Sequence, residues 1–342
     1  MKPRVRGRRA GALAVGLALC AVTLTACGDG QDSADGLTKV TVGLGNNIFD
    51  LPLRVAEQKG FFRREGLDVT FVSLTASTVN EALQSGSVDF LNDSPNSFYQ
   101  AVDEGIEQVS VAVDGTGSPL GLVVSKAFAH AHGLTADTPP ATVAKELTGS
   151  TAGVSSPNTK GQADIFLRSY GVDPARIKYV TLPSPAADNA SLKSHQIDWF
   201  VTSEPTPLQV QDSGDGVVVV GPEKVPAWSN AASGYGQLVV TTKQYAASHK
   251  AVTRKLVKAT DEASRYTHLH VHDDDVLDVA AQALHGVPRP VLARSVALVD
   301  WPLSARMSTA GFNTSLHFIR QESAATAHLG IGEDNWTNTY VP

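Results

Sequence analysis

Cysteine is almost missing from the 342-residue sequence: only Cys20 and Cys27 occur. No pair remains after Cys27 for an internal disulfide, and no cysteine-rich run exists that would hold iron or zinc. A Gly-x-Ser-x-Gly elbow, a His-Glu-x-x-His pair and a phosphate-binding P-loop are absent too, which removes sequence support for the enzymes built on them. Positive charge is scarce. There are 28 Lys and Arg against 34 Asp and Glu, and five of the basic residues fall within residues 1–26, which contain no acidic one. The rest of the chain is therefore strongly acidic, and nucleic acid, which demands a basic patch, is not an expected partner. The apolar run 10–23 is too short for an ordinary membrane span. What is present, 42% hydrophobic and 18% charged residues, is ordinary globular composition with length enough for two lobes.

Residues 1–26 stand apart from the fold. Lys2, Arg4, Arg6, Arg8 and Arg9 form a basic leader, the apolar run follows, and Leu24-Thr-Ala-Cys27 ends it. That ending resembles the bacterial lipobox, which implies that Cys27 becomes the lipidated first residue of the mature protein, anchored on the extracytoplasmic face of the cell membrane. Residues 28–37 are rich in Gly, Asp and Ser, so residues 27–38 read as a flexible tether.

The next stretch alternates strands and helices. Residues 39–45, 67–73 and 87–91 have strand character, and between them lie helical patterns at 52–59 and 79–85, each closed by a glycine suited to a left-handed residue past a helix end. Each strand leads into a polar turn and a helix start: Asn46-Asn47 before Pro52, Thr75 to Thr78 before a helix where Thr78 and Glu81 have capping-box spacing, and Ser94 before Pro95. In an open α/β sheet such turns gather at the carboxyl ends of the strands, where ligands bind. Helix N-termini there offer unpaired N–H groups, so a small anionic or strongly polar guest is expected.

The pattern then repeats. Strands are predicted at 109–114 and 120–125, residues 127–140 look like a surface excursion, and a second unit has strands at 150–155, 177–182 and 197–202 with helices at 162–170 and 186–194. A short strand at 217–220 and a returning one at 236–241 complete it. From residue 244 onward the pattern is helical, at 244–270, 275–284, 289–298 and 304–327. The expected organisation is residues 39–118 in lobe 1, 119–241 in lobe 2, and 242–342 packed back on lobe 1.

Three segments, Pro52-Leu-Arg-Val-Ala-Glu-Gln-Lys-Gly-Phe-Phe62, Glu65-Gly-Leu-Asp-Val69 and Glu81-Ala-Leu-Gln-Ser-Gly-Ser-Val-Asp-Phe90, resemble the solute-binding proteins of ABC importers in the nitrate, aliphatic-sulfonate and taurine group. Gly171-Val-Asp-Pro174, residues 190–197 and Glu204-Pro205 are similar to the second-lobe pattern of that group. The resemblance implies a two-lobed, type II periplasmic-binding-protein fold, each lobe a mostly parallel sheet flanked by helices, joined by two crossovers. It also implies a monomeric receptor that captures a small solute in the interlobe cleft and passes it to an ABC permease and its ATPase, without catalysis or cofactor. Pyrimidine and thiamine-precursor binders are the alternative. Asp-Trp after the first strand marks those relatives, and this chain has Gly45-Asn-Asn47. A sensory receptor, or an enzyme like the eukaryotic pyrimidine-precursor synthases related to this group, is a further option; the latter's cysteine-rich motif is missing.

Among the turn residues, Thr75, Ser77 and Thr78 are the first candidates for ligand contact, since hydroxyls at a helix start donate to an oxyanion; capping alone also accounts for them. Asn46, Asn47, Asn92 and Ser94 either contact ligand or shape their turns. From the second lobe come Ser155, Ser156, Thr159 and Lys160, the one cation in these turns and the natural counter-charge for an anion unless it is simply solvated. Glu204 would repel an anion, so it bonds a ligand amino group, orients backbone or faces away. Phe49, Trp228, Tyr235 and Trp301 are wall or core. His268, His270 and His272 with three following aspartates suggest a metal, but only His268 and His272 share a helix face, and no metal site is expected.

Overall fold

The computed structural model describes residues 36–75 and 77–342. The expected signal peptide, Cys27 and most of the tether lie outside the described residues. Strands β1 (Thr38–Leu44), β2 (Leu67–Ser73), β3 (Phe90–Asp93), β4 (Gln108–Thr116), β5 (Leu120–Ser125), β6 (Thr151–Val154), β7 (Lys178–Thr181), β8 (Trp199–Ser203), β9 (Gly216–Val220) and β10 (Tyr235–Thr242) form two five-stranded sheets. Their orders are β2-β1-β3-β10-β4 and β7-β6-β8-β5-β9. In each sheet four strands run in one direction, and the strand entered from the other half of the chain, β10 or β5, runs antiparallel between its two neighbours. The chain passes between the sheets twice, at 117–119 and 221–234, which makes the first lobe discontinuous.

The strands follow the residue pattern. Val40, Val42 and Leu44 are buried on one face of β1, whereas β5 is buried throughout and reads as the unbroken apolar run of a central strand. Helices Leu51–Gln58 and Lys250–Leu269 cover one face of the first sheet, and Pro95–Asp103 and Thr309–Arg320 cover the other. One apolar core runs from Leu91, Val113 and Leu238 in the first sheet through Phe318 to Phe166 in the helix Pro157–Ser169, Trp228 in the second crossover and Val201 in the second sheet. At the crossovers Gly117 N–H donates to Gly234 O at 2.8 Å, and both glycines have left-handed φ, +82° and +70°. A side chain at either would be strained, so glycine is what lets the two crossing segments lie against each other.

Several predicted elements move. Residues 87–89 are not strand: Val88 N–H returns to Ala82 O, and Asp89 pairs with Thr41 through both backbone and carboxylate, so β3 starts at Phe90. The excursion at 127–140 contains a helix, Lys126–His132, capped by Ser125. The helix expected at 162–170 begins at Pro157 because Ser156 caps it. The long helix at 244–270 breaks at His249 into Lys243–Ser248 and Lys250–Leu269. The last one is shorter than its pattern, since Val113 N–H binds Ala305 O and Ala305 N–H binds Asp261, which holds 304–308 extended until Ser308 caps Thr309–Arg320.

Candidate functional site

The carboxyl ends of β1, β3, β6 and β8 converge between the sheets. A cleft of about 440 Å³ is lined there by Asn46, Asn47, Ser94 and Asn96 from one side, Asn158, Gln162, Ser203 and Glu204 from the other, Ser118 and Gln237 at the crossovers, and Glu322 after the last helix. An adjoining space of about 600 Å³ shares Ser94, Asn96 and Asn158 with it and adds Thr75, Ser77, Ser155 and Ser156. No Lys, Arg, His or Cys lines either among the described residues.

The helix starts that were to receive an anion are largely occupied by the protein's own groups. Proline at 95, 157 and 185 removes one N–H from each first turn, and Ser94, Ser156 and Ser184 accept the third from Ser97, Thr159 and Ala187 at 3.1–3.2 Å. At the helix Thr206–Ser213 the carboxylate of Glu204 accepts from Leu208 N–H at 3.2 Å, whereas the start of Val79–Gln84, beside Thr75 and Ser77, carries no side-chain cap.

Asn46 lines the cleft at φ +54°, a conformation asparagine tolerates, and Asn47 caps the short turn Ile48–Asp50 beside it. Four expected contacts are placed elsewhere. Thr78 makes neither a cap nor the predicted capping box; its hydroxyl turns back to Thr75, and it lines neither space. Asn92, 4% exposed, donates to Phe49 O and Asp50 and so braces the floor from beneath. Thr159 is the reciprocal half of the Ser156 capping box. Lys160 is no counter-charge for the cleft, because its ammonium bonds the buried Asp164 at 2.7 Å and lies over the Tyr179 ring. Replacing Thr78 by alanine or Lys160 by methionine is therefore expected to leave solute affinity within about twofold, as isothermal calorimetry would show, where loss of a hydrogen bond to the solute would cost about 1 kcal/mol or more. Phe49 and Tyr235 wall the cleft, while Trp228 and Trp301 are core. His268 faces Trp301 O at 2.6 Å and His270 bonds Asp273, which accounts for two of the three imidazoles.

Two carboxyls dominate what remains. Glu204 is 3% exposed and burial pushes its pKa up to about 8 against the opposing Leu208 amide. Glu322 is 2% exposed and raised to about 8 by burial against its bond from Asn96 Nδ2. Beneath the floor, burial raises Asp50 to about 6 and, with the charge of Asp50, holds Asp114 well above the usual carboxylate range; neither Asp114 oxygen has a partner among the described residues.

A family model described as NMT1/THI5 like matches residues 49–271. The chain belongs to the NMT1/THI5-like family. The match includes Glu204 and stops short of Glu322. No curated protein matches the sequence. Among solved structures, the NMT1/THI5-like chain is similar to the ligand-binding component of an ABC-type import system from Staphylococcus aureus with zinc bound, at TM-score 0.70 and 15% identity over 88% of this chain and 97% of that one. It is also similar to the alkanesulfonate-binding protein SsuA from Xanthomonas axonopodis pv. citri bound to MOPS (TM-score 0.66, 16% identity, 86% and 94%) and to the periplasmic nitrate-binding protein NrtA from Synechocystis PCC 6803 (0.65, 16%, 85% and 84%). These matches establish the type II periplasmic-binding-protein fold. A desulfurization enzyme shares it at TM-score 0.59, with 15% identity over 83% of this chain and 92% of its own, so fold alone does not separate capture from catalysis.

Sequence reasoning missed Asn96, Gln162, Gln237 and Glu322. Gln162 sits in the predicted helix and Asn96 just past the Ser94-Pro95 start, one turn in from the residues that were named. Glu322 had no signal of its own, since only the return of the C-terminal segment brings it to the cleft.

Proposed function

We propose that this protein is an extracytoplasmic solute-binding receptor of an ABC importer, lipid-anchored at Cys27, monomeric and without catalysis. The observation that carries the reading is a polar cleft of about 440 Å³, built from both sheets, in which no described side chain pairs a nucleophile with a histidine or lysine base. The two-glycine crossover is a natural hinge, so closure over a solute needs only a few residues to turn. Membership of the NMT1/THI5-like family and likeness to an ABC-import component favour capture and delivery. A simple anion such as nitrate or an alkanesulfonate is disfavoured as the solute: no described residue lining the cleft is a cation, Lys160 is spent on Asp164, and the Glu204 carboxylate occupies the start of the helix Thr206–Ser213.

Affinity purification of the full-length chain from detergent-solubilised membranes is the test. A permease and its ATPase should accompany it, and Cys27→Ser should move the chain to the soluble fraction. A membrane kinase in place of the permease would point to sensing, and turnover of a bound solute to an enzyme.

A further inference from the structure

The strongest unassigned feature is the pairing of two buried carboxyls in a cleft without a positive charge. We propose that the solute is a small organic cation, an amine or protonated nitrogen base, held between the carboxyls of Glu204 and Glu322. The inference rests on the receptor reading and names its substrate class.

The two acids come from distant parts of the chain. Glu204 follows β8 in the second lobe, where its Oε2 accepts from Leu208 N–H. Glu322 follows the helix Thr309–Arg320, where its Oε2 accepts from Asn96 Nδ2. Oε1 of each has no hydrogen-bond partner among the described residues, while both side chains line the same cavity. Burial of a carboxylate is costly, and here it outweighs the Asn96 bond at Glu322 and, at Glu204, the Leu208 amide, the nearby charge of Arg294 and the Ser295 hydroxyl, so that each acid is raised to about 8. A positive nitrogen would ionise them and supply the missing partner for both oxygens. An anion in the cleft would meet no cation among the described lining residues.

The rest of the lining agrees. Asn46, Asn158, Gln162 and Gln237 provide amide oxygens for further N–H groups, and Phe49 and Tyr235 offer ring faces, which attract cations. Glu322 touches both lobes. Its Asn96 partner lies on the first, while its backbone presses on Gly161 of the second, where an added Cβ would sit 2.9 Å from Glu322 Cα. Charge neutralisation at Glu322 therefore occurs where the lobes meet, which ties recognition of the cation to the closed arrangement.

Calorimetry and thermal melting of the full-length chain against putrescine, ethanolamine, choline, taurine, ethanesulfonate, nitrate and neutral hydroxymethylpyrimidine test this. At least one of the three cations should bind, and Glu204→Gln and Glu322→Gln should each weaken it 30-fold or more. Glu322→Asp should recover part of the loss, and Glu104→Gln, in the adjoining space, should change nothing. Glutamine mimics the protonated acid, so a cation bound equally well by the Gln variants would overturn the proposal. So would binding of nitrate, ethanesulfonate or the neutral pyrimidine by wild type when every cation fails, although the receptor reading would survive it. Binding by none of the seven would sink both.

Discussion

Gly161→Val is expected to lower the melting temperature by about 5 °C or more and to weaken solute binding at least tenfold. Gly161 lies in the helix Pro157–Ser169, and a Cβ there would stand 2.3 Å from Glu322 Cβ and 2.9 Å from its Cα. The neighbour is backbone, so no rotamer relieves the overlap; the turn at 321–322 must leave the helix. Arg168, which donates to Gln321 O at 2.7 Å, resists that movement. Overpacking of this kind costs roughly 1–3 kcal/mol, against which an exposed Gly-to-Ala change in a helix gains only about 1 kcal/mol. For a domain of this size 1 kcal/mol corresponds to roughly 2–4 °C. The binding loss follows because the displaced residue carries the Glu322 carboxyl, and tenfold is about 1.4 kcal/mol. Unchanged melting and affinity in the valine variant would show that the C-terminal turn does not rest on this helix.

Stability should fall as pH rises from 5.5 to 8.5. Asp50 and Asp93 are raised to about 6 and Glu204 and Glu322 to about 8, in each case chiefly by burial. Between its unfolded value and its folded one, each such group binds a proton in the native state and not in the unfolded chain. The unfolded state then holds fewer protons, the slope of unfolding free energy against pH is negative, and the contribution is lost as pH passes the folded value. The two aspartates act from about pH 4 to 6 and the two glutamates from about 4.5 to 8. Asp275, lowered to about 2 beside Lys59, has the opposite sign but acts only in strong acid. Each pK unit between the two values is worth about 1.4 kcal/mol, so the glutamates dominate over the stated range and the melting temperature should fall by about 10 °C or more. Melting curves across pH measure it, and the double variant Glu204→Gln, Glu322→Gln should flatten them above pH 6. A melting temperature that climbs toward pH 8.5 would contradict the protonated state of both acids.

The alternation of short apolar runs with glycine-closed helices is local, governed by side-chain period and turn chemistry, and for that reason β1, β2, β5 and the two-sheet class were legible in the residues alone. Serine before proline was readable as a helix start at 94, because cap and first turn are neighbours in sequence; the same pair at 156 was taken for a turn, and the helix begins there. The charge of the cleft was not. Lys160 stood in the right turn, yet Asp164, one helical turn on, takes its ammonium, and only packing decides which way a long side chain points. Of the helix starts expected for an anion, the one at Ser94 is filled by its own cap, and the one after Thr78 is left without one. Glu322 lies more than a hundred residues from Glu204, and no pattern along the chain relates them. Residue order alone determined which segments become strands and helices, since those choices depend on near neighbours. The three-dimensional fold decided which carboxyls are buried together and which cations are withheld, because burial and pairing arise between segments that meet only when the chain has closed on itself.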